Sequence, residues 1–140
     1  MKVRDVMTKQ VIPVGANEPV SVAARSLTHY NIGALPVMRN GDLCGLVTDR
    51  DIVTRCLAAN RDPNQTTVEQ IMSVNIHGIR PDADIYRAAL LMGKLQVRRL
   101  PVLEHGKLCG MLSLGDLAGQ EESVMDAAEA LVDISSNLCE

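Results

Sequence analysis

The chain contains an internal repeat, and this repeat limits the folds available to it. Leu35-Pro36-Val37 aligns with Leu100-Pro101-Val102 at an offset of 65 residues, and at the same offset Asp51 aligns with Asp116. A solenoid needs at least about three such units to bury a continuous core. Two copies are too few, so we expect them to pack face to face as a pseudo-symmetric pair.

The repeat also sets the predicted boundaries. We place the first copy at residues 1–60, a polar linker at 61–66, the second copy at 67–120 and a C-terminal amphipathic helix at 121–140. The linker is rich in Asn, Asp and Pro, which are typical of turns. At this length the chain can bury a core by packing alone, without a disulfide or a metal ion.

Each copy is predicted to run strand, helix, strand, strand, helix, an α+β arrangement preceded by a one-turn helix. Apolar residues recur at intervals of three and four after Pro19 and after Asp84, which indicates amphipathic helices. The dipeptides Asn40-Gly41 and His105-Gly106 lie between apolar runs and predict tight hairpin turns.

The last helix of each copy starts with a hydroxyl residue, which is followed three positions later by an aspartate. The pairs are Thr48 with Asp51 and Ser113 with Asp116. In a capping box the hydroxyl accepts a hydrogen bond from the backbone N–H three residues on, and the acid accepts one in return. Capping alone is one sufficient explanation. A helix start also presents free N–H groups to an anion, which leaves a binding role open.

The residues around these pairs resemble the cystathionine beta-synthase (CBS) domain. The resemblance rests on Gly45-Leu46-Val47-Thr48-Asp49-Arg50-Asp51-Ile52 and on Gly110-Met111-Leu112-Ser113-Leu114-Gly115-Asp116-Leu117, each preceded by Leu-Pro-Val. Two such domains in tandem resemble a Bateman module, and the resemblance covers about residues 3 to 119. It implies two clefts related by a pseudo-two-fold axis, which in this family commonly bind adenosine-containing ligands and regulate an attached or partner protein.

The resemblance implies a set of nucleotide-binding residues in each copy. Asp51 or Asp116, beside its capping partner Thr48 or Ser113, would accept hydrogen bonds from two ribose hydroxyls. The base would be enclosed by the first strand and the Leu-Pro-Val element, at Val11, Ile12, Pro13 and Val37 in one copy and at Ile76, His77, Gly78 and Val102 in the other. Pro or Gly within these first strands favours short edge strands. The resemblance places Thr or Ser in many members where this chain has Pro13 and Gly78, so the carbonyls of Ile12 and His77, rather than a hydroxyl, would contact the base.

The two clefts are not expected to be equivalent. Arg98 and Arg99 precede the second Leu-Pro-Val, whereas Gly33-Ala34 precedes the first. Arg50 is a further candidate, with Gly115 as its counterpart. If these arginines contact a ligand, their guanidinium groups favour phosphate over a neutral nucleoside. The alternative is a pair of solvated surface arginines, the usual place for this residue.

Composition argues against two classes of partner. The chain has no Trp or Phe, only 2 Tyr and a net charge of −3, so it offers neither stacking surface nor a phosphate-attracting field, and we expect no nucleic-acid binding. No apolar run approaches the roughly 20 residues that cross a bilayer, and no signal peptide begins the sequence. We therefore expect a cytoplasmic protein that does not bind membranes.

No catalytic or metal-binding pattern is present. The sequence contains no Ser-His-Asp or Cys-His arrangement and no Gly-rich phosphate loop, so we predict no enzyme, no catalytic residues and no required cofactor. The cysteines Cys44, Cys56, Cys109 and Cys139 lack the spacing of a zinc or thioredoxin-like site. We expect free thiols packed as small apolar groups, with a regulatory role for Cys44 and Cys109 as the alternative.

The C-terminal segment lies outside the repeat. From Ser123 to Leu138 apolar residues form one predicted helical stripe, at Val124, Ala128, Leu131, Ile134 or Ser135, and Leu138. One interpretation is that the stripe packs back on its own module. Our hypothesis is that it covers part of a dimer or partner surface.

These observations predict a stand-alone, homodimeric CBS pair that senses an adenosine-containing ligand. The candidate ligands are AMP, ADP, ATP, NAD and S-adenosylmethionine, and the regulated protein partner is unidentified. The alternative is a structural or protein-interaction module with empty clefts, in which both aspartates only cap helices.

Overall fold

The computed structural model describes residues 1–136. The helices are α1 (Val3–Val6), α2 (Val20–Tyr30), α3 (Asp49–Asp51), α4 (Ile85–Leu95), α5 (Leu114–Ala118) and α6 (Val124–Ser136), with a π-helix at Ile52–Leu57 and a 3-10 helix at Val68–Gln70. The strands are β1 (Val14–Gly15), β2 (Ala34–Arg39), β3 (Asp42–Thr48), β4 (Arg99–Glu104) and β5 (Lys107–Ser113). The predicted α+β class is therefore confirmed.

The chain divides into two compact units. The Asp51 unit is Val11–Ile76, and the Asp116 unit is Met1–Gln10 together with the residues from His77 onward. These units differ from the predicted sequence boundaries, because the leading segment of each repeat belongs to the unit built mainly from the other repeat.

Backbone pairing explains this exchange of leading segments. In the Asp116 unit, the N–H of Val3 donates to the carbonyl of Ala83, and Thr8 pairs with Met111 on β5. In the Asp51 unit, Ser73 pairs in the same way with Leu46 on β3. Each leading segment thus satisfies backbone groups along the outer strand of a hairpin, which would otherwise be exposed.

Each unit is organised around an antiparallel hairpin. The β2–β3 hairpin turns at Asn40 and Gly41, and the β4–β5 hairpin turns at His105 and Gly106, all four with positive φ. The two-residue turns predicted from the sequence are confirmed, and their left-handed backbone matches the twist of the flanking strands.

The first strand of each repeat is shorter than predicted. Residues 11–13 and 76–78 lie outside any strand. β1 begins only at Val14, parallel to β2, and Ile79 makes a single bridge to Val102. Pro13 has no backbone N–H to donate to a ladder, which is consistent with the late start of β1.

The core of each unit lies between its hairpin and its first long helix. The predicted apolar stripes are confirmed: α2 buries Val20, Ala23 and Leu27, and α4 buries Ile85, Ala88, Ala89 and Met92. Leu35 and Val47 face α2 from the sheet, with no exposed surface. Burial of these apolar groups is the main favourable term for each unit.

The buried face of the C-terminal helix overlaps the predicted apolar stripe only at Ile134. The buried residues of α6 are Ala127, Ala130 and Ile134, whereas Val124, Ala128 and Leu131 of the predicted stripe are exposed. The reason is close packing on α4. A Cβ added at Gly93 of α4 would lie 3.4 Å from the Cα of Ala130, so α6 approaches through its alanines. Leu138 lies outside the described residues.

We expect Gly45→Ala to destabilise the protein by about 1–3 kcal/mol through overpacking. An added Cβ would lie 2.6 Å from the sulfur of Met72 and 2.9 Å from the carbonyl oxygen of Ser73. Gly119→Ala is the matched control, because its nearest contact would be an ordinary 3.5 Å. Urea unfolding measures both variants, and equal stability of the two would contradict the packing argument.

Candidate functional site

The predicted capping box is present at the start of α3. The N–H of Asp51 donates to the hydroxyl of Thr48 at 3.0 Å, and the N–H of Thr48 donates to Oδ2 of Asp51 at 3.0 Å. This reciprocal pair satisfies two backbone donors at a helix start. It also fixes the Asp51 carboxylate where strand β3 ends.

The Asp51 carboxylate has further partners within its own unit. The hydroxyl of Ser73 lies 3.2 Å from each of its two oxygens. Nε of Arg55 lies 3.9 Å from Oδ1, and this arginine also donates to the carbonyls of Ile71 and Met72. Asp51 is only 6% exposed. Its acceptor capacity is therefore directed toward protein donors.

Asp116 has the same cap but fewer partners. The N–H of Ser113 donates to Oδ2 of Asp116 at 2.8 Å, and the N–H of Asp116 donates to the hydroxyl of Ser113 at 3.0 Å. The repeat places Thr8 at the position of Ser73, but within residues 1–136 no side chain donates to Oδ1 of Asp116. Asp116 is half-buried, and its Oδ1 retains the capacity to accept a hydrogen bond.

A cavity of about 510 Å³ lies in the Asp116 unit, beside this cap. Its walls are Arg98, Arg99, Ser113, Leu114, Gly115, Ala118, Val124, Ala127, Ala128 and Leu131. The volume is within the roughly 300–1,000 Å³ of pockets that hold small molecules. Arg98, Arg99 and Ser113 supply its polar side chains, and the other lining residues are apolar.

The two arginines that line the cavity have no carboxylate partner among the described residues. Arg98 is exposed and Arg99 is half-buried at the start of β4. The ion pairs found in residues 1–136 involve other cations, such as Arg39 with Glu69 and Arg80 with Asp82. Unpaired guanidinium groups beside a cavity can bind phosphate through two parallel hydrogen bonds.

The structure brings only some of the predicted site residues together. Arg98, Arg99 and Ser113 line the cavity, whereas Asp116 itself is outside the lining and only its neighbour Gly115 belongs to it. The remaining residues of the predicted second site are outside the lining: Ile76 is half-buried, His77 and Gly78 are exposed, and Val102 is fully buried.

In the Asp51 unit the predicted residues other than Thr48 and Asp51 differ widely in exposure. Val11 and Ile12 are half-buried and Pro13 is exposed. Val37 is fully buried in the core, and Arg50 is exposed on α3 without a side-chain partner in the described part of the chain. The buried valines Val37 and Val102 offer no side-chain surface to a ligand.

Two features of the site were missed in the sequence. Ser73, which holds the Asp51 carboxylate, was signalled by the repeat, because Ser73 and Thr8 are hydroxyl residues in register. The apolar wall formed by Val124, Ala128 and Leu131 was identified as a stripe but assigned to packing or to a partner surface.

The described thiols have no metal or disulfide partner. Cys44, Cys56 and Cys109 are free, and residues 1–136 contain no group of three side chains able to hold a metal ion. The thiols of Cys44 and Cys109 lie 3.3 and 3.4 Å from the carbonyls of Val37 and Val102. Burial raises the pKa of Cys109, which lowers its thiolate fraction and its reactivity. Cys139 lies outside the described residues.

In the described part of the chain, every helix is too short or too polar to span a bilayer.

Comparison with known proteins identifies relatives along most of the chain. The CBS domain family model matches residues 3–58 and 68–120. The CBS domain-containing protein YhcV of Bacillus subtilis is 41% identical over 133 residues, which are 95% of this chain and 94% of YhcV.

Solved structures share the fold. A protein with CBS domains from Burkholderia ambifaria superposes with a TM-score of 0.80 at 30% identity, over 86% of this chain and 97% of that chain. The CBS domain pair of protein MJ0100, in complex with 5'-methylthioadenosine and S-adenosylmethionine, superposes with a TM-score of 0.77 at 28% identity, over 84% of this chain and 93% of that chain.

We expect Asp51→Ala to destabilise the ligand-free protein by about 2–3 kcal/mol, because it leaves both the N–H of Thr48 and the hydroxyl of Ser73 without an acceptor. Asp116→Ala removes only the cap, at a cost of about 1 kcal/mol. Urea unfolding measures the free energy of unfolding of both variants. Ser73→Ala is the control, and we expect its destabilisation to lie between those of the two aspartate variants. Equal losses for both aspartates would show that Ser73 contributes nothing.

Proposed function

The chain belongs to the CBS domain family, and on that basis we propose that this CBS pair is a regulatory module that binds an adenosine-containing ligand. In this role it senses the ligand and transmits occupancy to a partner protein rather than catalysing a reaction. The CBS pair of MJ0100, which binds 5'-methylthioadenosine and S-adenosylmethionine, supports this class of ligand.

The observation that carries the proposal is the contrast between the two aspartates. Asp51 directs its carboxylate to Ser73 and Thr48, whereas Oδ1 of Asp116 has no donor within residues 1–136. A ribose offers two neighbouring hydroxyl donors, which match a free carboxylate oxygen. We therefore assign the ligand to the Asp116 unit.

The charge beside Asp116 favours a phosphorylated ligand. Arg98 and Arg99 line the adjacent cavity with no carboxylate partner in the described chain. Two guanidinium groups stabilise a phosphate and disfavour a cationic ligand such as S-adenosylmethionine. We propose AMP, ADP or ATP as the regulatory ligand, with NAD as a further phosphorylated candidate.

A thermal-shift series tests this proposal. We expect AMP, ADP or ATP at about 100 times its Kd to stabilise the protein by about 2.7 kcal/mol through linkage, and adenosine to do so more weakly. Asp116→Asn and Arg99→Gln should each weaken binding about tenfold or more, because each removes a charged partner. The matched control is Arg87→Gln, an exposed arginine of α4 outside the cavity.

A flat response to every nucleotide would reject the ligand proposal. It would favour instead a structural module in which both capping boxes serve only the fold. A loss of binding in Asp51→Asn but not in Asp116→Asn would transfer the site to the Asp51 unit.

We also propose that the protein is a cytoplasmic homodimer in which α6 contributes to the interface. Met125 and Val132 of α6 are 73% and 66% exposed, and their spacing of about two helical turns places them on one face of the helix. We expect the double variant Met125→Lys, Val132→Lys to shift the sedimentation coefficient from a dimer to a monomer. An unchanged dimer would exclude this face of α6, and a monomeric wild-type protein at micromolar concentration would reject the dimer.

A further inference from the structure

The carboxylate of Asp51 is bonded to a segment of its own unit, residues 71–73. The hydroxyl of Ser73 lies 3.2 Å from each carboxylate oxygen, and the N–H of Ser73 donates to the carbonyl of Leu46 on β3 at 2.8 Å. With these neighbours Asp51 is only 6% exposed. A ligand hydroxyl that approached this carboxylate would compete with the Ser73 hydroxyl for the same two oxygens.

Arg55 holds the same segment. Its Nη1 donates to the carbonyl of Met72 at 3.0 Å and to that of Ile71 at 3.3 Å. Its Nε lies 3.9 Å from Oδ1 of Asp51. The hydroxyl of Ser73 and the guanidinium group of Arg55 therefore both link residues 71–73 to the strand-to-helix turn that carries the carboxylate.

Both of these contacts are missing in the Asp116 unit. At the repeat offset of 65 residues, Thr8 corresponds to Ser73 and Gln120 to Arg55. The two leading segments pair in the same register with the outer strand of their hairpin. In the part of the chain that the structure describes, however, neither the side chain of Thr8 nor that of Gln120 donates to Asp116. The two units thus differ in the groups that cover the carboxylate.

We infer that the Asp51 unit contains a closed copy of the ribose-binding site, and that Ser73 is the group that closes it. This inference rests on the proposed function and adds a determinant to it, namely the side chain that decides how many nucleosides one chain binds. The Ser73 hydroxyl offers the carboxylate the same kind of O–H donor as a ribose. A site that is open for only a fraction of the time has its apparent affinity reduced by that fraction.

The probe for the closed site is a nucleoside without phosphate. Positions 33 and 34 of the Asp51 unit are Gly and Ala, where the Asp116 unit has Arg98 and Arg99. The group to be recognised at Asp51 is therefore the pair of neighbouring ribose hydroxyls. Adenosine carries both hydroxyls, and 2',3'-dideoxyadenosine, which lacks them, is its matched control.

Titration calorimetry in the Asp116→Asn background, which weakens the other site, tests the inference. We expect Ser73→Ala to raise the affinity for adenosine about tenfold or more, because a ligand no longer has to displace a hydrogen bond to a charged group. Dideoxyadenosine should gain nothing. Arg55→Gln, which introduces the residue of the open unit, should independently raise the affinity for adenosine by releasing residues 71–73.

Ser26→Ala is the matched control for Ser73→Ala. Ser26 is a half-buried serine of α2 in the same unit and makes no bond to Asp51, so its substitution should leave the adenosine affinity unchanged. Thermal unfolding without ligand verifies that each variant folds. If Ser73→Ala does not fold, Arg55→Gln decides the question alone.

The outcomes separate this inference from the proposed function. An unchanged adenosine affinity in the folded variants, with AMP still bound by the wild-type protein, would overturn the closed site and leave the nucleotide proposal intact. An equal gain for dideoxyadenosine would also overturn it, because the carboxylate would then not be the group that is uncovered. Failure of AMP to bind the wild-type protein and of adenosine to bind any variant would overturn both. Adenosine binding by Ser73→Ala without AMP binding by the wild-type protein would support the closed site and reject the assignment of the ligand to the Asp116 unit.

Discussion

The reciprocal hydrogen bonds between a hydroxyl residue and an aspartate three positions later organise both units. Thr48 with Asp51 and Ser113 with Asp116 each end the outer strand of a hairpin and begin a helix at the same point. Each pair satisfies backbone donors that neither the sheet nor the helix can reach. In doing so it also holds a carboxylate in one orientation. The strand-to-helix turn therefore provides both the fold and the candidate binding group.

The same capping box leaves the aspartate with different hydrogen-bond partners in the two units. Beside Asp51 lies Ser73, whose hydroxyl is within hydrogen-bond distance of both carboxylate oxygens, and Nε of Arg55 lies 3.9 Å from Oδ1. Beside Asp116 the corresponding Thr8 makes no such bond in the described chain, and one carboxylate oxygen stays available. A duplicated sequence can thus retain two identical caps while only one copy keeps an open acceptor. We therefore propose a structural role for Asp51 and ligand recognition for Asp116.

The C-terminal helix extends the chemistry of the Asp116 unit. Its alanines allow close approach to Gly93 of α4, because small side chains leave little between the two backbones. The larger side chains Val124 and Leu131 are consequently turned toward the cavity, next to the unpaired arginines. A helix that completes a packed core on one face thereby supplies an apolar wall with the other. Under our proposal, a ligand in this unit would contact the carboxylate of Asp116 and the two arginines.

Local patterns in the sequence were enough to determine the repeat, the helices, the hairpins and the caps. Each of these patterns is complete within a few residues of sequence. Examples are the apolar spacing that begins at Val20 and at Ile85, the Asn40-Gly41 turn and the Thr48–Asp51 pair. Only the tertiary structure decided which leading segment completes which unit and which face of α6 is buried. It also decided which aspartate carboxylate accepts a hydrogen bond from a second hydroxyl. These outcomes depend on contacts between distant residues, such as Ser73 with Asp51 and Gly93 with Ala130, and no short-range period in the chain records them.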